Sequence, residues 1–118
     1  MKAASTGTRW LTCRATRTHT FKRHSVDSRS AVVGFGGIVV KDQEPAAAAR
    51  IVGQAIERGI NYFDVAPSYG NAEEVLGPAL EPYRRSVFLA CKTGKRGKDG
   101  AWAELQQSLA RLRTDHLD

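Results

Sequence analysis

Three side chains of this 118-residue chain combine titratable groups with positions from which a scaffold can present chemistry: Asp64, Tyr69 and Lys92. Asp64 stands near the end of the short apolar run Asn61-Tyr62-Phe63-Asp64-Val65, and Tyr69 lies in the following Ala66-Pro67-Ser68-Tyr69-Gly70 segment. Lys92 comes directly after Ser86-Val87-Phe88-Leu89-Ala90-Cys91. A carboxylate, a phenol and an ammonium are acid–base groups, and loop positions carried by rigid elements hold a disproportionate share of function. Taken singly, Asp64 also suits a loop cap and Tyr69 a packing role. Brought together, the three types could do proton chemistry.

The elements that must position them follow a regular alternation. Ala31-Val32-Val33-Gly34 and Ile38-Val39-Val40, separated by Phe35-Gly36-Gly37, read as a buried strand entering a glycine loop. Pro45 suits a first helical turn, and Ile51, Val52, Ala55 and Ile56 share one face before Gly59 stops the helix. A second strand ends at Asp64. Asn71 is expected to cap the next helix with Glu74 as its capping-box partner, and Pro78 to weaken or kink it. The continuous apolar run before Lys92 is typical of a strand covered on both faces in a parallel sheet. Trp102, Leu105, Leu109 and Leu112 then recur at helical spacing, predicting a helix packed on the sheet, and Asp115-His116-Leu117-Asp118 reads as the approach to another strand.

Strand starts near residues 31, 61, 87 and 117 give a period of roughly 28 residues, and strict alternation of strands and helices predicts a parallel α/β architecture. A closed barrel of eight such units needs about 250 residues, so three units fit here. An open three-stranded α/β sandwich is the alternative.

Composition is that of a globular protein, 42% hydrophobic and 25% charged. The net charge of +6 is not spread over the chain: residues 1–30 hold seven basic residues against Asp27 alone, and the rest balances eleven basic with eleven acidic. That basic, Ser/Thr-rich segment lacks periodicity and is expected not to fold by itself. It is the one candidate for contact with nucleic acid or acidic partners. Its composition also suits organelle import, while a cytoplasmic, reducing compartment is the default. No apolar run suits a membrane span. Cys13 and Cys91 lack metal or redox spacing, and no metal site is expected. Two glycine stretches that invite a phosphate-loop reading fail it. Lys92 to Gly100 lacks the G-x-x-x-x-G-K-[ST] spacing, and Gly34-Phe35-Gly36-Gly37 lacks G-x-G-x-x-G.

Four ordered matches then add a family resemblance. Gly34 to Gly37, Gly59 to Gly70 with its Asp-x-x-x-x-Tyr-Gly core, Glu73-Glu74-Val75-Leu76-Gly77 and Leu89-Ala90-Cys91-Lys92-Thr93 closely resemble the aldo-keto reductases, and Ser108-Leu109 through Asp118 resembles their run into a fourth strand. Coverage is residues 31–118. The resemblance implies the first three strand-helix units of a (β/α)8 TIM barrel with its active site at the strand C-terminal ends.

It also implies NADPH-dependent reduction of an aldehyde or ketone. Tyr69 would donate the proton, Lys92 would make that proton easier to release, and Asp64 would keep Lys92 cationic against the desolvation a buried lysine suffers. Gly36, Gly37 and Asp64 would contribute the nicotinamide side of an NADP(H) site whose remainder lies in the family's second half. The substrate-orienting histidine at the end of strand four is not matched by His19, His24 or His116. On this reading the 118 residues alone are inactive, and the remaining barrel units are the partner they call for.

Overall fold

The computed structural model describes residues 30–118. The basic segment, its organelle-import and acidic-partner readings, and Cys13 lie outside the described residues. Three short strands, β1 (Phe35–Gly36), β2 (Tyr62–Val65) and β3 (Phe88–Cys91), form one parallel sheet in the order β1-β2-β3. Helices α1 (Pro45–Glu57), α2 (Ala72–Leu80) and α3 (Lys98–Arg111) follow them in turn, with 3-10 turns at Gly37–Val40 and Glu81–Ser86.

Strand alternation sorts the side chains between two faces. Phe35, Phe63, Val65 and Leu89 are buried, with the Phe35 and Phe63 rings 5.0 Å apart. They form one core with Ala48 and Val52 of α1 and Leu76 of α2. The opposite face carries Tyr62, stacked on Phe88 at 5.2 Å, and Asp64 beside Ala90, all half-buried. Among the described residues, the apolar run before Lys92 is therefore covered by helices on one face only.

Sequence and structure part at several points. Val32 and Val33 are exposed and outside the strand, which pairs only where β2 offers partners, Phe35 with Phe63 and Gly36 with Asp64. Ile38 and Val39 are likewise exposed on the 3-10 turn, and Val40 alone of that run is buried. Asn71 does precede α2 but makes no capping bond. Its Oδ1 instead accepts the Asp42 N–H at 2.8 Å, tying the loop after β1 to the loop after β2. Pro78 sits inside α2, which gives way to the 3-10 turn at Glu81. Gly59 ends the first helix as expected, at φ +88°.

Helix α3 departs furthest from its apolar pattern. Trp102 is exposed, and the helix buries only Ser108 before Leu112 closes its end. It meets α2 along a tight seam: a Cβ at Gly77 would lie 2.5 Å from the Arg111 carbonyl oxygen and 2.8 Å from the Leu112 backbone. Beyond the helix, Asp118 reaches the free edge of β3, where its N–H bonds the Leu89 carbonyl and its Oδ2 accepts the Leu89 N–H, both at 3.0 Å. Arg84 fixes this segment through Thr114 Oγ1, the Val87 and His116 carbonyls and Asp118 Oδ2. Residues 115–118, expected to lead into a strand, form none themselves but lie along this edge.

The α2–α3 seam yields a stability test. Gly77→Ala forces two backbones apart and should cost about 1–3 kcal/mol in urea unfolding followed by circular dichroism. Gly36→Ala, whose Cβ would meet nothing within 4 Å, should stay within about 0.5 kcal/mol of the parent. Equal stabilities of the two variants would show that the seam is loose.

Candidate active site

Parallel pairing brings the C-terminal ends of the strands to one rim. Gly36, Asp64 and Ala90 are in register across it. Directly beyond, Tyr69 is carried on a tight turn: its N–H bonds the Ala66 carbonyl at 3.0 Å, its own carbonyl accepts the Ala72 N–H at 3.2 Å, and Gly70 takes φ +63°. That conformation favours glycine, and the Lys41 side chain lies across the space a Cβ would fill. Lys92 follows β3.

The three residues singled out by sequence converge. Lys92 Nζ donates to both Asp64 oxygens, at 2.7 Å to Oδ1, and lies 3.2 Å from Tyr69 Oη. The ammonium is also 5.3 Å from the centre of the tyrosine ring, within cation–π range. Hydrogen bonding to Asp64, then to Tyr69, holds the Lys92 ammonium above its ordinary value of 10.5. Desolvation opposes this rise and is outweighed by the two hydrogen bonds. With 53% of the Lys92 side chain and 32% of the Asp64 side chain exposed, the expected burial of the lysine is not found, and the carboxylate acts by direct contact.

The two glycines differ. At Gly37 a Cβ would lie 2.8 Å from the Asp64 carbonyl oxygen and 3.0 Å from the Val65 side chain, so glycine there lets the end of β1 lie against β2. Gly36 faces open space. The rim is therefore open at Gly36, abreast of Asp64 and Ala90.

Sequence reasoning missed two contributors. Glu104 of α3 reaches back to the loop after Lys92, where Oε2 accepts from Thr93 Oγ1 and from the Gly94 N–H at 3.0 Å. Those contacts, led by Thr93, hold the Glu104 carboxyl below its usual range. The other is Glu73, buried behind β3 and paired with Arg111 at 3.1 Å. Only its place in the matched Glu73 to Gly77 segment hinted at it. His116 sits apart, against Asp115 Oδ1. Among the described residues no cluster of three or more His, Cys, Asp or Glu could hold a metal, and no helix is long and apolar enough to cross a membrane.

Comparison with known proteins converges on one group. The Aldo/keto reductase family matches residues 32–118. An uncharacterised oxidoreductase, YqkF, of Bacillus subtilis is 38% identical over 100 residues, covering 73% of this chain and 32% of that protein. A 6-dehydroglucose reductase of Novosphingobium aromaticivorans is 33% identical, covering 72% and 34%. A solved structure from Pseudomonas aeruginosa assigned to the aldo-keto reductases superposes with a TM-score of 0.67 at 29% identity, covering 72% of this chain and 38% of that one. The chain spans about a third of the length of the curated relatives it matches. Its open sheet corresponds to part of their barrel.

The ion pair carries a signed pH dependence. A folded-state lysine held above 10.5 contributes stability that is whole below about pH 10.5 and lost as pH rises through the folded value. The stability gap between the parent and Asp64→Asn should stay constant from neutral pH to about pH 10 and close above it. For so exposed a pair it should not exceed about 1 kcal/mol. Urea unfolding across this range measures it, and a gap that widens at alkaline pH would refute the assignment.

Proposed function

Because the chain belongs to the aldo/keto reductase family, we propose that it supplies the proton-donating part of an NADPH-dependent reductase acting on an aldehyde or ketone, with Tyr69 as the donor. The observation that carries this reading is the single Lys92 ammonium shared by Asp64 and Tyr69 Oη.

NADPH, when bound, supplies the hydride that reduces the carbonyl carbon. Everything else falls to side chains. The carbonyl oxygen gains negative charge as the carbon is reduced, and Tyr69 Oη gives it a proton. The Lys92 charge 3.2 Å away stabilises the phenolate that forms. Asp64 holds that ammonium charged and in place through two hydrogen bonds. The open rim at Gly36, abreast of Asp64, suits the nicotinamide side of the cofactor, and Gly37 supports it by seating β1 against β2.

In this reading the histidine that orients the substrate and most of the cofactor grip come from further barrel units, so residues 1–118 alone should not oxidise NADPH above buffer with 4-nitrobenzaldehyde. A chimera in which residues 31–118 replace the matching part of the Bacillus relative should do so. Tyr69→Phe in that chimera should lower turnover about 10²- to 10⁴-fold, the usual range for losing a general acid. Full activity in Tyr69→Phe, or an inactive chimera beside an active parent, would overturn the proposal.

A further inference from the structure

Behind the rim lies a second ion pair that the reaction does not use. Glu73, in the first turn of α2, is 1% exposed and has both oxygens engaged: Oε2 accepts from Arg111 Nη1 at 3.1 Å and Oε1 lies 3.5 Å from Cys91 Sγ. The single S–H of Cys91 is also 3.6 Å from the Lys92 carbonyl. Burial, the largest effect, pushes the Cys91 thiol up to about 11, and the carboxylate beside it adds to the rise. At neutral pH the thiol is therefore a donor. A buried carboxylate persists only with such partners, and Arg111 reaches it because Gly77 lets the end of α3 close on α2.

These contacts join the two segments that carry the site. Glu73 stands four residues after Tyr69, in the helix whose first turn is bonded to the Tyr69 carbonyl through the Ala72 N–H. Cys91, the last residue of β3, directly precedes Lys92. We propose that Glu73, braced by Arg111, is a positioning residue: its contact with Cys91 locks the end of β3 to the start of α2 and thereby sets the distance between Lys92 and Tyr69. The role in reduction rests on the reaction proposed above, whereas the coupling itself can be read without turnover.

The test uses the 118-residue chain labelled with [¹³Cε]lysine, with the Lys92 signal assigned by its loss in Lys92→Met and followed against pH. Glu73→Gln keeps the shape and removes the charge that holds Arg111, Cys91→Ala removes the donor, and Cys91→Ser restores one. Val52→Ala, on the buried face of α1, is the control for stability alone. Glu73→Gln and Cys91→Ala should lower the Lys92 midpoint by about half a unit or more, roughly a threefold change in the proton equilibrium. Cys91→Ser should return it, and Val52→Ala should lower the melting temperature without moving it. An unmoved Lys92 in Glu73→Gln, or an equal shift in Val52→Ala, would leave Glu73 a structural pin and overturn the proposal. Should Glu73→Gln not fold, the two Cys91 variants decide by the same criteria. A Lys92 shift alongside full turnover of Tyr69→Phe in the chimera would sink the reaction and leave the positioning intact.

Discussion

The register of the parallel sheet governs this molecule. Gly36, Asp64 and Ala90 lie abreast, so the loops bearing Tyr69 and Lys92 leave the sheet at a common rim. A one-residue slip of β2 would exchange its faces. It would drive the Asp64 carboxylate into the helix layer and bring out Phe63, which is now wholly buried. Burying an unpaired charge and exposing a large aromatic are both costly. The apolar core thus enforces the polar geometry, and the site is aimed by residues that never touch it.

Two carboxylates near β3 show how burial separates roles. Asp64 and Lys92 remain largely in reach of water, where the pair gains little stability and loses little to desolvation. The Lys92 charge of this pair stands 3.2 Å from Tyr69 Oη. Glu73 lies on the other side of the same strand end with 1% exposure, where the cost of desolvation makes any loss of a partner severe. It can hold position but has no path to a substrate. The same residue class does opposite work on the two faces of a sheet about one side chain thick.

The sequence made the helices and the parallel alternation legible because each leaves a local trace, a 3.6-residue period or an apolar run, whereas Asp64, Tyr69 and Lys92 were singled out by the resemblance of the segments that carry them. It misled where apolar residues lack a neighbour in space. Val32, Val33, Ile38 and Val39 look like strand but are exposed, since a strand is defined by its pairing partner and β2 offers only two positions to β1. Trp102 belongs to the same class. Asn71 shows the complementary failure, because its side chain had two uses and the long-range one, the Asp42 N–H, prevailed over the local cap. The ion pairs of Glu73 and Arg84 join residues 38 and 34 positions apart, a separation at which no periodicity speaks.

Those two pairs have a common object. Glu73, held by Arg111, meets β3 from the helix layer at Cys91. Asp118, held by Arg84, meets it from the free edge at Leu89, through both its backbone and its carboxylate. The strand that delivers Lys92 is only four residues long, and so short a strand has few ladder bonds to resist sliding or twisting. Each grip uses a guanidinium, whose planar fork can serve several acceptors at once. Arg84 serves four, where the compact ammonium of a lysine could not span them. Two arginines thus brace the short strand from its helix layer and its edge. Lys92 can therefore stand in solvent and still be held within hydrogen-bonding distance of Tyr69.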